Sequence, residues 1–442
     1  MQTLNVAVVG GGIAGLVAAS YAAAAGKPVA LFERASTLGG RAQTTAAGDA
    51  HLNLGPHALF AGGANAAVLK DLGIRVAGAD AATLPGGAIR ELPGRRPGGY
   101  QALKGGRFHV LPVSAAALAR TRLVGLGAKV ELGRLFAAVA RANAGSLDGV
   151  ALTDWVNEHT SNADAREVFL ALVRLSTYAG AADVFSAGAA IRQLRLPGGV
   201  HYLDGGWRSL VEALRDRALD LGVTIEESAP VRAVTIERGE ATGIRLRDGR
   251  AVNASAVVLA TPPAEAAAIS GLDAVAGAAR GLTPMKSAVL DIVLRGLPNP
   301  RRTFALGIDT PTYFSVHSHW AKLAPKGRSV IHLATYLNPG EKGTTAHERE
   351  LESTLDVIQP GWRERVVFRR FLPDLAVAGA LPAAATGGAA GRPREEVPGV
   401  QNLFLAGDWV GAEGMLADAA FASGRRAGEL AASVRMNMLA TA

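Results

Sequence analysis

The chain of 442 residues contains no cysteine. That excludes disulfide frameworks, thiolate metal sites, cysteine nucleophiles and any prosthetic group tethered through a cysteine sulfur. Lysine is scarce too. Of 46 basic residues only eight are lysine (27, 70, 104, 129, 286, 322, 326 and 342), and the other 38 are arginine. Together with 54 glycines, this reads as a coding bias toward GC-rich codons. The basic residues form no run of five or six and have little aromatic interleaving. The net charge of +8 therefore does not describe a nucleic-acid surface. Aromatic residues make up 5% and charged residues 19%, against 49% hydrophobic, which excludes a disordered or fibrous chain. At about 150 residues per domain, the length predicts two to three domains.

Residues 1–26 have no charged side chain, a pattern shared by membrane spans and buried segments. A signal peptide needs a positive start, which Met1–Asn5 lacks. Gly10-Gly11-Gly12 and Gly15 also interrupt the apolar run. The expectation is a soluble, cytoplasmic protein.

The same residues have a nucleotide-binding reading. Asn5–Val9 is a short apolar strand, and Gly10-Gly11-Gly12-Ile13-Ala14-Gly15 matches G-x-G-x-x-G. A helical pattern from Leu16 to Ala25 follows, then a second strand, Pro28–Phe32, ending at Glu33 and Arg34. Gly10 permits the turn, Gly12 lets the backbone approach a pyrophosphate, and Gly15 allows close packing of helix on strand. The helix N-terminus around Ile13 and Ala14 offers free N–H groups to phosphate. Glu33, 18 residues past Gly15, is placed to accept hydrogen bonds from ribose hydroxyls.

Two further segments decide which dinucleotide. Leu38-Gly39-Gly40-Arg41 and Asn53-Leu54-Gly55-Pro56-His57 follow the second strand. Near the other end, Asn402–Asp408 reads as a strand closing in Ala406-Gly407-Asp408, and Gly414-Met415-Leu416-Ala417-Asp418 opens a helix to about Val434. This set resembles the flavin amine oxidoreductase superfamily, most closely its phytoene-desaturase and protoporphyrinogen-oxidase branch. The resemblance implies an α/β fold: a discontinuous Rossmann-like FAD-binding domain (1–75, 198–290 and 396–442) and an α+β substrate domain (76–197 and 291–395). It also implies noncovalent FAD, with Gly40 and Arg41 along the pyrophosphate and flavin and Gly55, Pro56 and His57 nearby. Gly407 and Asp408 would hold the ribityl chain, and the backbone near Met415, Leu416 and Ala417 would face flavin O2. Val231 would meet the adenine, and the Ala260-Thr261-Pro262 turn would lie beside the nucleotide. A helix N-terminus at Leu416 suits the negative N1/O2 edge of a reduced flavin.

In the middle of the chain, Leu210–Leu221 reads as a helix, and Asp248-Gly249 as a hairpin turn between strands. Gly387–Gly391 keeps only half of a glycine fingerprint and reads as a loop, so no separate nicotinamide domain is expected.

The resemblance implies a lysine near flavin N5, which makes Lys286 a catalytic candidate beside His57. No histidine pair has metal-ligand spacing, so no metal site is expected. His317 and His319 would share a face if extended. Residues 113–146 carry Arg120, Arg122, Lys129, Arg134 and Arg141 against one acid, Glu131. That stretch suits either an anionic membrane surface or a solvated helical face.

Leu372–Val400 has no Phe, Tyr or Trp, so one ring of the amine cage that the resemblance implies is missing there unless Trp409 or a residue elsewhere replaces it. The expected function is therefore FAD-dependent removal of hydride from a C–H of an apolar or cyclic small molecule, with O2, a quinone or another electron acceptor. Amine or amino-acid oxidation on the same fold is the alternative. A non-enzymatic carrier of prenylated partners is the third reading.

Overall fold

The strand Leu4–Val9 is apolar except for Asn5 and buried along nearly its whole length, as a central strand of a covered parallel sheet must be. A computed structural model of the protein describes residues 4–81 and 99–435. The remaining parts of the expected domain spans (1–3, 82–98 and 436–442) lie outside the described residues. Leu4–Val9 pairs in parallel with Val29–Phe32 on one side and Ala251–Leu259 on the other, Val8 standing opposite both Leu31 and Val258. Thr224–Glu226 adds the outer edge beyond Val29–Phe32. Ala251–Leu259 forks. Its exposed first third pairs antiparallel with Glu240–Leu246, and its buried last third pairs in parallel with Leu403–Leu405. The first and last strands of the chain thus flank one strand from its middle.

The uncharged N-terminal stretch is explained by this sheet. The helix Ile13–Ala24 buries residues all round because it is sandwiched between the sheet and two other helices, Arg208–Asp220 and Leu416–Ser433. Its approach to Leu416–Ser433 depends on glycine. A Cβ on Gly424 would stand 2.6 Å from the Ala14 carbonyl oxygen, and one on Gly428 would stand 2.5 Å from that of Ala18. Among the described residues, no helix is long and apolar enough to cross a membrane.

A second sheet runs in the order Val366–Ala378, Met285–Leu294, Ser329–Leu337, Thr312–Val316, Phe304–Gly307, Gln101–Lys104, Arg107–Val110. It is antiparallel except where Phe304–Gly307 meets Gln101–Lys104. The expected boundary at residue 290 falls inside Met285–Leu294, which pairs wholly within this sheet. One face packs Leu290, Ile292, Ile331 and Leu333 on the helix Thr345–Ile358. The other presents Met285, Val289, Tyr313, Ala334 and Tyr336 to a helical layer from Ala115 to Leu194. Both faces are covered, so Met285–Leu294 and Ser329–Leu337 are mostly apolar and almost wholly buried, with polar residues such as Asp291 and His332 among them.

The architecture is the α/β arrangement of two units expected from sequence, with two local differences. Gly387–Gly391 is not an open loop but lies in short 3-10 turns, Ala384–Thr386 and Gly388–Gly391. His317–His319 is also a 3-10 turn. At three residues per turn, side chains two apart diverge by about 240° instead of sharing a face. His317 is accordingly buried, while His319 lies edge-on to Trp320.

Replacing Gly424 by Val should lower stability by about 1–3 kcal/mol through overpacking. Gly133→Ala, on a helix surface where a Cβ meets nothing, should raise it by about 0.5–1 kcal/mol. Thermal midpoints check both, and equal midpoints for the two variants would contradict the packing account.

Candidate active site

At the C-terminal edge of the parallel sheet, Gly10 has φ +106°, and a Cβ there would stand 2.5 Å from the Ala260 carbonyl oxygen. A Cβ on Gly15 would overlap the Gly10 carbonyl oxygen. Gly12 differs. Its backbone is extended (φ −79°, ψ −178°), and a Cβ there would meet no atom within 4 Å. Open space therefore lies over the start of the Ile13–Ala24 helix. No side chain caps that terminus and no acid sits in its first turn, which leaves its partial positive charge uncompensated.

Glu33 closes one side of this turn. One carboxylate oxygen accepts the Gly11 N–H at 2.7 Å and the other accepts the Ala35 N–H at 2.8 Å. Arg34 turns away and pairs with Glu265 at 3.0 Å. The Gly39 N–H donates to the Gly11 carbonyl at 2.8 Å, which seats Gly39-Gly40-Arg41 directly on the glycine turn.

Arg41 then makes a bidentate pair with Asp408, 2.7 Å for each bond, and Asp408 also accepts the Gly379 N–H at 2.9 Å. Asp408 is buried, and its carboxylate raises the Arg41 guanidinium further above its ordinary value. Gly407 is anchored by Ser423, whose hydroxyl accepts from the Gly407 N–H and donates to its carbonyl. Trp409 Nε1 donates to the Thr261 carbonyl, 3.0 Å away, tying the last segment to the Ala260-Thr261 turn. The Thr261 hydroxyl is buried and has no hydrogen-bond partner.

The final helix opens abruptly. Met415 is its buried N-cap, and Leu416 takes a left-handed conformation (φ +55°), which costs a non-glycine residue of order 1–3 kcal/mol. Ala417 follows in a first turn that no side chain caps. Asp418 there accepts the Asn65 backbone N–H at 3.1 Å and its side-chain amide at 2.5 Å. Its other oxygen is buried without a partner, and burial raises its pKa. Arg392, in the segment that sequence reading passed over, donates to the carbonyls of Asp408, Glu413 and Gly414, bracing the loop before this helix. Burial brings its pKa down to about 10.

Gly55-Pro56-His57 meets the second sheet. Gly55 lies against Leu375 and Val289, and the Pro56 carbonyl accepts the Tyr178 hydroxyl at 3.4 Å. His57 packs edge-on to Trp207 at 4.8 Å, with Nδ1 3.2 Å from the Gly55 carbonyl. Val231 is buried at the far hairpin, opposite Leu246. Lys286 is not brought to this set. Strand alternation puts it on the face shared with Leu290 and Ile292, where its amine is 3.8 Å from Asp374.

Burial moves the His57 pKa down to about 4 from an ordinary 6.5. Between those values the unfolded chain binds the proton and the folded chain does not. Stability should therefore fall as pH drops from 6.5 toward 4. Thermal midpoints across that window should show the loss, and His57→Gln should make it smaller. An unchanged slope in the variant would contradict the buried neutral imidazole.

The family model described as flavin containing amine oxidoreductase matches residues 13–431. A curated all-trans-zeta-carotene desaturase from Myxococcus xanthus is 36% identical over 74 residues, 17% of this chain and 14% of that relative's length. An oxidoreductase from Methanosarcina mazei has the same fold, with TM-score 0.75 at 20% identity over 96% of this chain and all of that one. A putrescine oxidase bound to putrescine matches at TM-score 0.70 and 18% identity, covering 97% and 98% of the two chains. Cyclohexylamine oxidase from Brevibacterium oxydans matches at 0.67 and 14%, covering 98% and 99%. The fold, the glycine turn and the match along nearly the whole chain lead to one conclusion: this protein belongs to the flavin-containing amine oxidoreductase family.

Proposed function

We propose that the chain binds FAD noncovalently and uses it to take hydride from a C–H of an apolar or cyclic small molecule. The carrying observation is Gly12, the one residue of the glycine turn whose Cβ position faces open space. The residues around it suit the cofactor. An uncapped helix start faces the pyrophosphate position, and Glu33 keeps lone pairs for ribose hydroxyls. The unpartnered Thr261 hydroxyl is a polar atom that a ligand can satisfy. With no cysteine, a thioether link is chemically unavailable. Of the expected spans, 1–75, 198–290 and 396–442 would form the FAD unit and 76–197 with 291–395 the substrate unit, except that residues 285–290 go with the substrate unit because their strand pairs within the second sheet.

When bound, the isoalloxazine accepts hydride. Everything else belongs to the chain. Gly10, Gly12, Ile13, Ala14, Gly15, Glu33, Gly40 and Arg41 would hold the dinucleotide half. Gly407, Asp408 and the turn from Met415 to Ala417 would hold the ring-bearing half, with free N–H groups at a helix start favouring negative charge beside it. Met285, Val289 and Leu375 supply an apolar wall that excludes water. That wall, the short desaturase likeness and the missing ring in Leu372–Val400 support C–H oxidation of an apolar compound, with the electrons passing to O2, a quinone or another acceptor.

Gly12→Val should leave the thermal midpoint of the flavin-free protein nearly unchanged yet abolish FAD uptake, followed by flavin fluorescence. Unimpaired FAD uptake by the variant would contradict the reading. Anaerobic screening of the yellow protein should then show bleaching by unsaturated or cyclic compounds rather than by amines.

An anionic membrane surface is the partner proposed for the Ala115–Arg120 and Leu126–Arg141 helices. Leu126 and Val130, 79% and 49% exposed, sit one helical turn apart, near exposed Arg120 and Arg122. Vesicles of phosphatidylglycerol should co-sediment the protein and phosphatidylcholine vesicles should not, and Leu126→Asp with Val130→Asp should abolish the difference. Equal sedimentation with both lipids would contradict the proposal.

A further inference from the structure

A polar row crosses the otherwise apolar face of the second sheet that meets the Gly55-Pro56-His57 turn. Strand register makes it. Asp291 stands opposite Arg370 on one side and His332 on the other, and His332 stands opposite Ser315. Asp291 and His332 are completely buried. The Asp291 carboxylate is 2.6 Å from His332 Nδ1 and, through its other oxygen, 2.6 and 3.1 Å from two Arg370 nitrogens. Arg370 also donates to the Asn53 carbonyl at 2.6 Å and the Thr45 hydroxyl at 2.8 Å, which pins the row to the segment leading into Gly55.

This arrangement settles the tautomer of His332. A carboxylate only accepts, so Nδ1 carries the proton and Nε2 the lone pair. Nε2 is buried and has no hydrogen-bond partner. The groups around it are few. His317 packs against it at 4.4 Å between ring centroids, with its own Nε2 3.2 Å from the Tyr313 hydroxyl. Tyr202 lies edge-on to His317, and His57 feels both His332 and Asp291 electrostatically.

Arg370 and Asp291 cancel in charge, so the row is neutral while His332 is neutral and carries +1 when it is protonated. A buried positive charge of that kind is costly unless a negative charge arrives nearby. We propose that His332, oriented by Asp291, takes up a proton when a flavin bound beside Gly55-Pro56-His57 is reduced. The inference rests on the FAD reading above. The balance is simple. Two electrons and one proton delivered to the isoalloxazine leave it one negative charge, and a second proton, drawn from solvent onto His332 Nε2, restores neutrality. The other imidazoles are less suited. Burial holds His57 near 4 and pushes His317 well below its ordinary value, and neither has a carboxylate on its far nitrogen. His332 is a positioning and proton-holding residue in this scheme.

No substrate is needed for the test. The FAD holoenzyme is reduced anaerobically by xanthine and xanthine oxidase with an indicator dye, and the two-electron midpoint potential is followed from pH 7.5 to 9. Each proton taken up with two electrons contributes about 30 mV per pH unit. The wild type should show the two-proton slope, about 59 mV per pH unit, with an anionic reduced-flavin spectrum. His332→Gln should show about half that slope. A second measurement uses no variant: a pH-indicating dye in weakly buffered solution, corrected for the protons released as xanthine is oxidised to urate, should count two protons taken up per flavin reduced.

Equal slopes in wild type and variant, one proton per flavin in the wild type, or a neutral reduced-flavin spectrum would each overturn the proposal. Failure to take up FAD at all would instead defeat the cofactor reading. The two failures are therefore separable.

Discussion

The ion pair of Arg41 with Asp408 joins residues 367 apart in sequence, and the site depends on it. Asp408 is buried, so without Arg41 its carboxylate would keep only the Gly379 N–H as a hydrogen-bond donor and no paired positive charge. With the pair formed, the glycine turn after the first strand and the small-residue turn after the last strand face one another. Two other contacts impose the same juxtaposition: Ala251–Leu259 receives Leu4–Val9 and Leu403–Leu405 on its two sides, and Gly424 and Gly428 let the first and last helices touch backbone to backbone. Strand pairing, helix packing and charge agree, and such agreement across levels is what lets a sequence specify one structure.

The second sheet supplies what the first cannot. A parallel sheet with helices on its faces offers a nucleotide crevice at its strand ends but little wall for a substrate. The antiparallel sheet presents an apolar face interrupted by one polar row, Arg370–Asp291–His332, which reaches across to Asn53. Removing Arg370 would leave the buried Asp291 charge unpaired, whereas an apolar replacement of the whole row could have been packed at no such cost. A row of this kind, kept in a wall that otherwise excludes water, is understandable if a change of charge beside it has to be answered.

The parts of the fold carried by local pattern were legible from sequence. The strand–glycine–helix unit, Glu33 at the second strand end and the Ala406-Gly407-Asp408 strand end each occupy a few consecutive residues whose types are dictated by backbone geometry. Residues 1–26 were ambiguous for a physical reason: a helix buried on all sides and a helix in lipid have the same composition, and only the interrupting glycines separated them. Long-range placement was not legible. Nothing local marks Arg370 as the partner of Asp291, since the pairing follows from the register of strands 79 residues apart. Arg392 sits in a Gly/Pro-rich stretch that carries no periodic signal, yet it braces the loop before the last helix. Lys286 was singled out by position in a family pattern, while strand alternation decides its face.

The central claim is that both chain ends grip a single FAD molecule, and amide hydrogen exchange with and without FAD tests it most directly. The account predicts that adding FAD protects the amides of residues 10–15 and those of residues 407–417 together, with the same dependence on FAD concentration. Protection confined to one of these segments, or absent from both while flavin is bound, would contradict it.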